Sequence, residues 1–454
     1  MKRIALRLLV ISSATLLWIA AADGRTRPRY GGTLRAASSF GRWPANGVPA
    51  FLVGPVFETL VTLDDKGQPQ PALATSWTVS SGGRRWEIIL RKNVHFSDGQ
   101  PVTPGDVAVR LQRIDADGWT VGTTADSLIF ESKQPDLNFP ALLSLPEFAI
   151  SAEKANGHPV GTGPFLIAEE GPLRLLAVDD YWGGRPYVDE VQIATDRQSR
   201  DQVAEFALDR TDVAEIGADQ WRRAQQEHWR TDASRPAETV LLNIVSTKRE
   251  LQDARIREAI SLAIDRASIH NVIFQRRGEV GNGLLPNWLT GYEFLFAAPP
   301  DLSKARELLS WAGRVPPLTI GYDASNAVDR VIAERVALNV RDIGISMSTV
   351  PNSASVPDIR IQHVVLPSLD PSIALDGDVK MLRILPVAHG TTPEALYNNE
   401  RAALHTYLAI PLVHLPRITA VKDRVRNWTA SPLGEWRFEY LWIAPRSNTR
   451  EAQQ

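Results

Sequence analysis

Between Leu318 and Val350 the chain reads as strand, helix, strand, and that order constrains the fold more than any other stretch. Leu318 to Tyr322 is a short apolar run. Asn326 opens a helical pattern that continues to Ile343 and stops at Gly344, and Ile345 to Val350 returns as a strand. A strand–helix–strand unit of this length closes as a parallel pair with a right-handed crossover. The chain is therefore expected to be α/β with mixed sheets. Its 454 residues amount to two or three domains by length. A formal charge of −2 offers no basic footprint for nucleic acid. The absence of cysteine excludes a disulfide framework, a thiolate metal site, a Cys nucleophile and a lipid-modified N-terminal cysteine.

The first residues read as a secretory signal. Lys2, Arg3 and Arg7 precede an uncharged stretch from Leu8 to Ala22 that ends in Ala20-Ala21-Ala22. That stretch is shorter than the roughly 20 apolar residues needed to span a bilayer. Removing residues 1–22 takes away three cations and no anion, moving the formal charge from −2 to −5. The mature protein is expected to be free in a periplasm, not a lipoprotein.

Arg85 to Arg91 alternates large apolar positions at Trp86, Ile88 and Leu90, the pattern of a half-buried strand. Thr103-Pro104-Gly105-Asp106 starts a helix, with a Thr N-cap, Pro at the first helical position and an acid three residues on. Gly161-Thr162-Gly163-Pro164-Phe165 is read as a tight turn into a strand. Asp253 caps a helix whose inner face carries Ile256, Ile260, Ile264 and Ile273.

Signals for enzyme chemistry are poor. The eight histidines show no H-x-x-x-H or H-E-x-x-H spacing, so no metal site and no cofactor are expected. No G-x-S-x-G elbow or phosphate-binding loop occurs. His363 and Asp370 are close in sequence and read as an ordinary surface pair.

A run of motifs resembles the family 5 extracellular solute-binding proteins, the oligopeptide and dipeptide receptors of ABC importers. Gly31-Gly32-Thr33-Leu34-Arg35, Val56-Phe57-Glu58-Thr59-Leu60-Val61 and Pro71-Ala72-Leu73-Ala74-Thr75-Ser76-Trp77 stand in the family's order. Leu90 to Gly99 and Thr103 to Val107 follow, then Gly161 to Phe165, Tyr181-Trp182-Gly183-Gly184-Arg185-Pro186, and Arg255 to Ile260 leading to Asp265-Arg266.

The resemblance implies a two-lobed periplasmic binding protein of type II fold with an extra subdomain inserted in lobe 1. Lobe 1 would comprise residues 23–44, 159–240 and 411–454, the inserted subdomain 45–158, and lobe 2 residues 241–410. It implies a monomer that captures a peptide or peptide-like ligand and hands it to ABC transporter permease subunits. A non-transporting sensor or regulator on the same fold is the alternative, with a metal-complex binder or hydrolase behind it. Ser38, Ser39 and Phe40, just after the first strand, are the expected lobe-1 ligand contacts. Trp288 and Tyr292 are expected to wall the cleft. In a lobe-2 loop the family places Trp-x-x-Asp-x-x-Asp/Glu-Pro, whose first Asp holds the ligand's ammonium group. Here Val364 stands at the Trp position and Pro367 at that Asp, while Asp370-Pro371 keeps the trailing pair. The usual anchor for a free peptide N-terminus is therefore missing, and Asp370 replaces it only if the loop is rearranged.

Overall fold

The computed structural model describes residues 27–38, 48–114, 118–153, 159–168, 172–195, 198–217, 220–297, 299–384, 390 and 392–445. Residues 1–22, read above as a secretory signal, and Ser39 and Phe40 lie outside these residues.

The strand–helix–strand unit forms as read. Strand Leu318–Tyr322 pairs in parallel with Met347–Pro351, and helix Ala327–Arg341 connects them, capped by the Asn326 side chain on Val328 N. These two strands belong to an 11-stranded sheet, numbered here in chain order. They are β1 Thr33–Ala37, β2 Phe165–Ile167, β3 Arg174–Ala177, β4 Glu190–Ala194, β5 Val213–Ile216, β6 Thr231–Ile244, β7 Glu279–Val280, β8 Leu318–Tyr322, β9 Met347–Pro351, β10 Ile359–Val365 and β11 Ala409–Val421. Their spatial order is β2-β3-β4-β1-β5-β11-β6-β10-β8-β9, with β7 alongside β11.

Two half-sheets are thus joined by two long antiparallel strands, β6 and β11. Each half has its own apolar core. Leu34, Phe165, Val191 and Val213 pack in one. Val240, Leu242, Ile320, Val336 and Ile361 pack in the other. The pairing of β6 with β11 is irregular at the crossing, where Pro236 faces Pro416 and the register shifts on either side. Proline has no N–H to give to a ladder, so this is where the sheet is least tied together.

A separate antiparallel sheet runs through Ala74–Ser80, Arg85–Leu90, Ser127–Ser132 and Trp119–Thr123, in that spatial order. The alternation at Trp86, Ile88 and Leu90 puts all three into a core with Phe130 and Phe139. Helix Pro104–Gln112 covers it, and its Thr103 and Asp106 make the reciprocal capping box.

One expected element is divided. The helix capped by Asp253 ends at Ala263, and its pattern does not run on to Ile273 as a single helix. Ile264 is extended, and Asp265 caps a new start by accepting from Ser268 N. A second acid N-cap overrides the apolar period, and a π-turn at Ile269–Ile273 follows. Among the described residues no helix is long and apolar enough to cross a membrane.

Candidate functional site

In open α/β sheets ligands lie outside the carboxyl ends of the strands. In one half those ends are at Ser38, after β1, and at Glu215 near the end of β5. In the other they are at His363 near the end of β10, and in the turn after β8 that leads to Asp329.

Ser38 is fully buried. Its amide donates to the Ala194 carbonyl at 3.0 Å and its hydroxyl to Glu215 Oε2 at 3.1 Å. Arg417 of β11 donates from Nη2 to Glu215 Oε1 at 3.1 Å, and its amide donates to Ser234 Oγ at 2.9 Å. On the next strand, Glu238 pairs with His363 Nδ1, and His363 Nε2 meets Asp329 Oδ1 at 2.8 Å. Burial works against the His363 charge, but the bonds to Asp329 and Glu238 outweigh it and hold the imidazolium up to about 10. Burial would raise the Glu238 carboxyl; the His363 hydrogen bond, its charge and that of Arg417 together keep it below the usual range.

Charge therefore alternates along Glu215, Arg417, Glu238, His363 and Asp329. These residues sit on β5, β11, β6, β10 and helix Ala327–Arg341. The four strands are neighbours in the sheet, so the row crosses from one half of the molecule to the other. Opposite charges this close, and partly screened from water, hold one another firmly.

A cavity of about 1230 Å³ lies beside the junction. Its walls come from the Thr62–Lys66 turn region, from Thr429 to Tyr440, and from Pro367, Ser368 and Leu369 of the other half. The halves touch here. A methyl group on Gly67 would lie 2.6 Å from the Leu369 carbonyl oxygen, and Asn138 Nδ2 donates to Ser372 Oγ at 3.1 Å. Leu433, from the C-terminal hairpin, is buried in the same apolar cluster as Leu366 and Leu369. On the far wall Glu58 accepts from Tyr181 OH at 2.8 Å and Trp182 Nε1 at 3.0 Å. Arg91 covers the Trp182 ring at 4.1 Å. Burial raises the Glu58 carboxyl, and these donors oppose that rise.

The residues singled out from sequence fall in different places. Ser38 joins the charged row, and Pro367 lines the cavity with its ring against Gly377. The Asp370 carboxylate is taken up as the N-cap of helix Pro371–Met381, accepting from Ser372 N at 2.9 Å and Ile373 N at 3.1 Å. Trp288 donates to the Pro236 carbonyl at 2.7 Å, with Arg235 over its ring. Tyr292 is buried, donates to Glu400 Oε2 at 2.8 Å and packs edge-on to Phe296 and Tyr397. Neither Trp288 nor Tyr292 lines the cavity.

His363 does not pair with Asp370; its partners are Glu238 and Asp329. Sequence reading passed over Glu215, Arg417, Glu238 and Asp329. The available signal was a charged residue inside an apolar strand, as at Glu238 before Thr239–Ile244 and Arg417 within β11. Among the described residues no three His, Cys, Asp or Glu side chains are placed to hold a metal ion.

The profile of the bacterial extracellular solute-binding proteins, family 5, middle region, matches residues 68–382. The nickel-binding periplasmic protein of Escherichia coli K12 is 24% identical over 371 residues, covering 69% of this chain and 71% of that protein. Di/tripeptide-binding protein 2 of Pseudomonas aeruginosa is 25% identical over 54% of this chain. The chain spans 56% of that relative's length. The solved structure of the oligopeptide-binding protein AppA of Bacillus subtilis, in complex with a nonapeptide, superposes with a TM-score of 0.78 at 19% identity. It covers 92% of this chain and 100% of that one. That likeness establishes the two-lobed fold, and the profile match over well over half of the residues establishes the kinship. The chain belongs to the family 5 bacterial extracellular solute-binding proteins.

Proposed function

We propose that the chain is a periplasmic receptor of an ABC importer, free of a lipid anchor. It captures a peptide or peptide-like ligand between its two halves as a monomer and passes it intact to permease subunits. The observation that carries this reading is the cavity of about 1230 Å³ walled by both halves. It exceeds the roughly 300–1,000 Å³ of small-molecule pockets. A ligand touching both halves binds best when they close on it, which couples capture to closure. Family membership and relatives named for di/tripeptides support the ligand class.

Native mass spectrometry of the protein purified from its own periplasm tests this. A ladder of co-purifying peptide masses is expected. One defined non-peptide mass, or a closed form with nothing bound, would sink the peptide reading.

The second-half loop sharpens the expectation. It turns Pro367, Ser368 and Leu369 to the cavity, while the Asp370 carboxylate caps a helix. Acetylating the N-terminus of a bound peptide is therefore expected to weaken binding less than about 3-fold by calorimetry. An ammonium held by a carboxylate would lose about 1.5–3 kcal/mol, or roughly 10- to 150-fold. A loss of that size would show that a carboxylate does meet the ligand's amine.

A further inference from the structure

Strand β11 has different neighbours along one edge. Its Ile418 to Val421 pairs with β5, and its Val413 and His414 pair with β7. Both partners run antiparallel to it, so the end of β5 points at the start of β7. Leu415, Pro416 and Arg417 lie between them, and the four steps from His414 to Ile418 make a break of about 13 Å at strand spacing. β5 belongs to one half of the molecule, and β7 lies beside the core of the other.

Two side chains reach over this break. Trp221 opens the short helix Trp221–Gln226, just beyond the end of β5. Arg277 stands two residues before β7, and its guanidinium lies 3.7 Å from the centre of the Trp221 ring. The backbone that delivers Arg277 is unusual. It follows the π-turn Ile269–Ile273, and Gln275, Arg276 and Gly278 have φ of 55°, 65° and 77°. Left-handed backbone at two non-glycine residues in a row is costly and persists only where the surroundings impose it. They do so here. Arg276 N donates to the His270 carbonyl at 3.0 Å, Arg277 N to the Phe274 carbonyl at 2.8 Å, and His270 Nε2 meets the Gly278 carbonyl at 3.1 Å. The strained turn is fixed to its own half and extends one cation onto the other.

We propose that Arg277 on Trp221 is a latch between the lobes, made in the closed arrangement and broken when they separate. The proposal rests on the two-lobed receptor reading but not on the ligand's identity. A cation over an indole face holds strongly enough to bias an equilibrium and weakly enough to release. Each residue is half-buried and anchored to its own half, so the contact between them is what joins the two. The Trp221 Nε1 is buried without a hydrogen-bond partner, so the indole is held by packing against the Val203, Phe206 and Ile216 cluster of its own half and by the Arg277 contact.

The chain has no cysteine, so two labels can be placed without removing any. Leu208, 62% exposed in one half, and Leu338, 44% exposed in the other, serve as L208C and L338C. Spin-label distances are then read in unliganded protein. Arg277→Gln and Trp221→Leu are each expected to raise the ratio of long to short distances by roughly 2- to 30-fold. Trp221→Phe is expected to shift it the same way by less. The double variant R277Q/W221L should move no further than the larger single change, because both remove one contact. Unchanged distances in both single variants, or shifts that add, would overturn the latch. Distances that shift as expected in a protein that takes no peptide from a library would support the latch and count against the receptor reading alone.

Discussion

Replacing Gly161 with alanine is expected to destabilise the protein by about 4 kcal/mol or more, enough to leave little folded protein. The added methyl carbon would stand 2.0 Å from the Val56 carbonyl oxygen and 2.8 Å from both the Val56 carbonyl carbon and Phe57 Cδ1. Two of these are backbone atoms, and Val56 and Phe57 are themselves buried, so no side-chain rotation relieves the overlap. The backbone at this point also carries hydrogen bonds: Gly163 N donates to the Val56 carbonyl and Ser97 N to the Gly161 carbonyl. Separating the segments would break these as well. Gly99→Ala is the matched control. Gly99 has φ of 86° and nothing within 4 Å of a methyl group, so only the backbone conformation is penalised, at about 1–2 kcal/mol. Urea denaturation of both variants checks the contrast. Equal losses would mean that close approach is not the role of Gly161.

The second large effect falls on the charged row. His363→Ala removes a cation held between two carboxylates, and leaves Glu238 facing Asp329, whose side chain is only 2% exposed. Removing one member of a buried ion pair costs about 3–5 kcal/mol; since the His363 and Glu238 side chains keep 28% and 24% exposure, about 3 kcal/mol is expected. The pH dependence separates this from lost packing. The folded His363 titrates at about 10 against 6.5 for a free histidine. Its contribution is therefore complete below pH 6.5 and is lost as pH rises through 10. The Glu238 carboxyl is shifted the other way, so its contribution is present above about 4.5 and lost on acidification. Stability measured at pH 6 and again at pH 9.5 should fall in the parent protein and much less in the variant. A variant that keeps the parent's alkaline loss would show that His363 is not its source.

Fold and site differed in how much of each could be read from sequence. The unit from Leu318 to Val350 and the Thr103 cap depend on neighbours within a few residues, and both form where local chemistry places them. Asp265 shows local chemistry at finer grain than periodicity, because an acid one residue past an apolar position restarted the helix. Asp370-Pro371 could have been read the same way. An acid followed by proline at the first helical position is a helix start, as Thr103-Pro104 is, and resemblance to an anchoring loop drew attention from that. Gly161 looked like a turn residue, yet it makes no left-handed turn and is needed for close approach. The charged row shows in the sequence only as single charges inside apolar strands, at Glu238 and Arg417, and not as a row. Its members come from five segments, and the Glu238–His363 pair alone is 125 positions apart. Only the strand order makes them neighbours.

The crossing at Pro236 and Pro416 has a consequence for how motion in this molecule can be observed. Where these two face each other, neither supplies an amide proton. Bending of the halves about this point would break no hydrogen bond between the two prolines; the nearest interstrand bond is the one from the Arg417 amide to Ser234 Oγ. Deuterium uptake would stay silent at the two prolines themselves, however wide the swing, and the Arg417 amide beside them would be the local reporter. The movement is better seen from its ends, as a change in separation between the outer faces of the two halves.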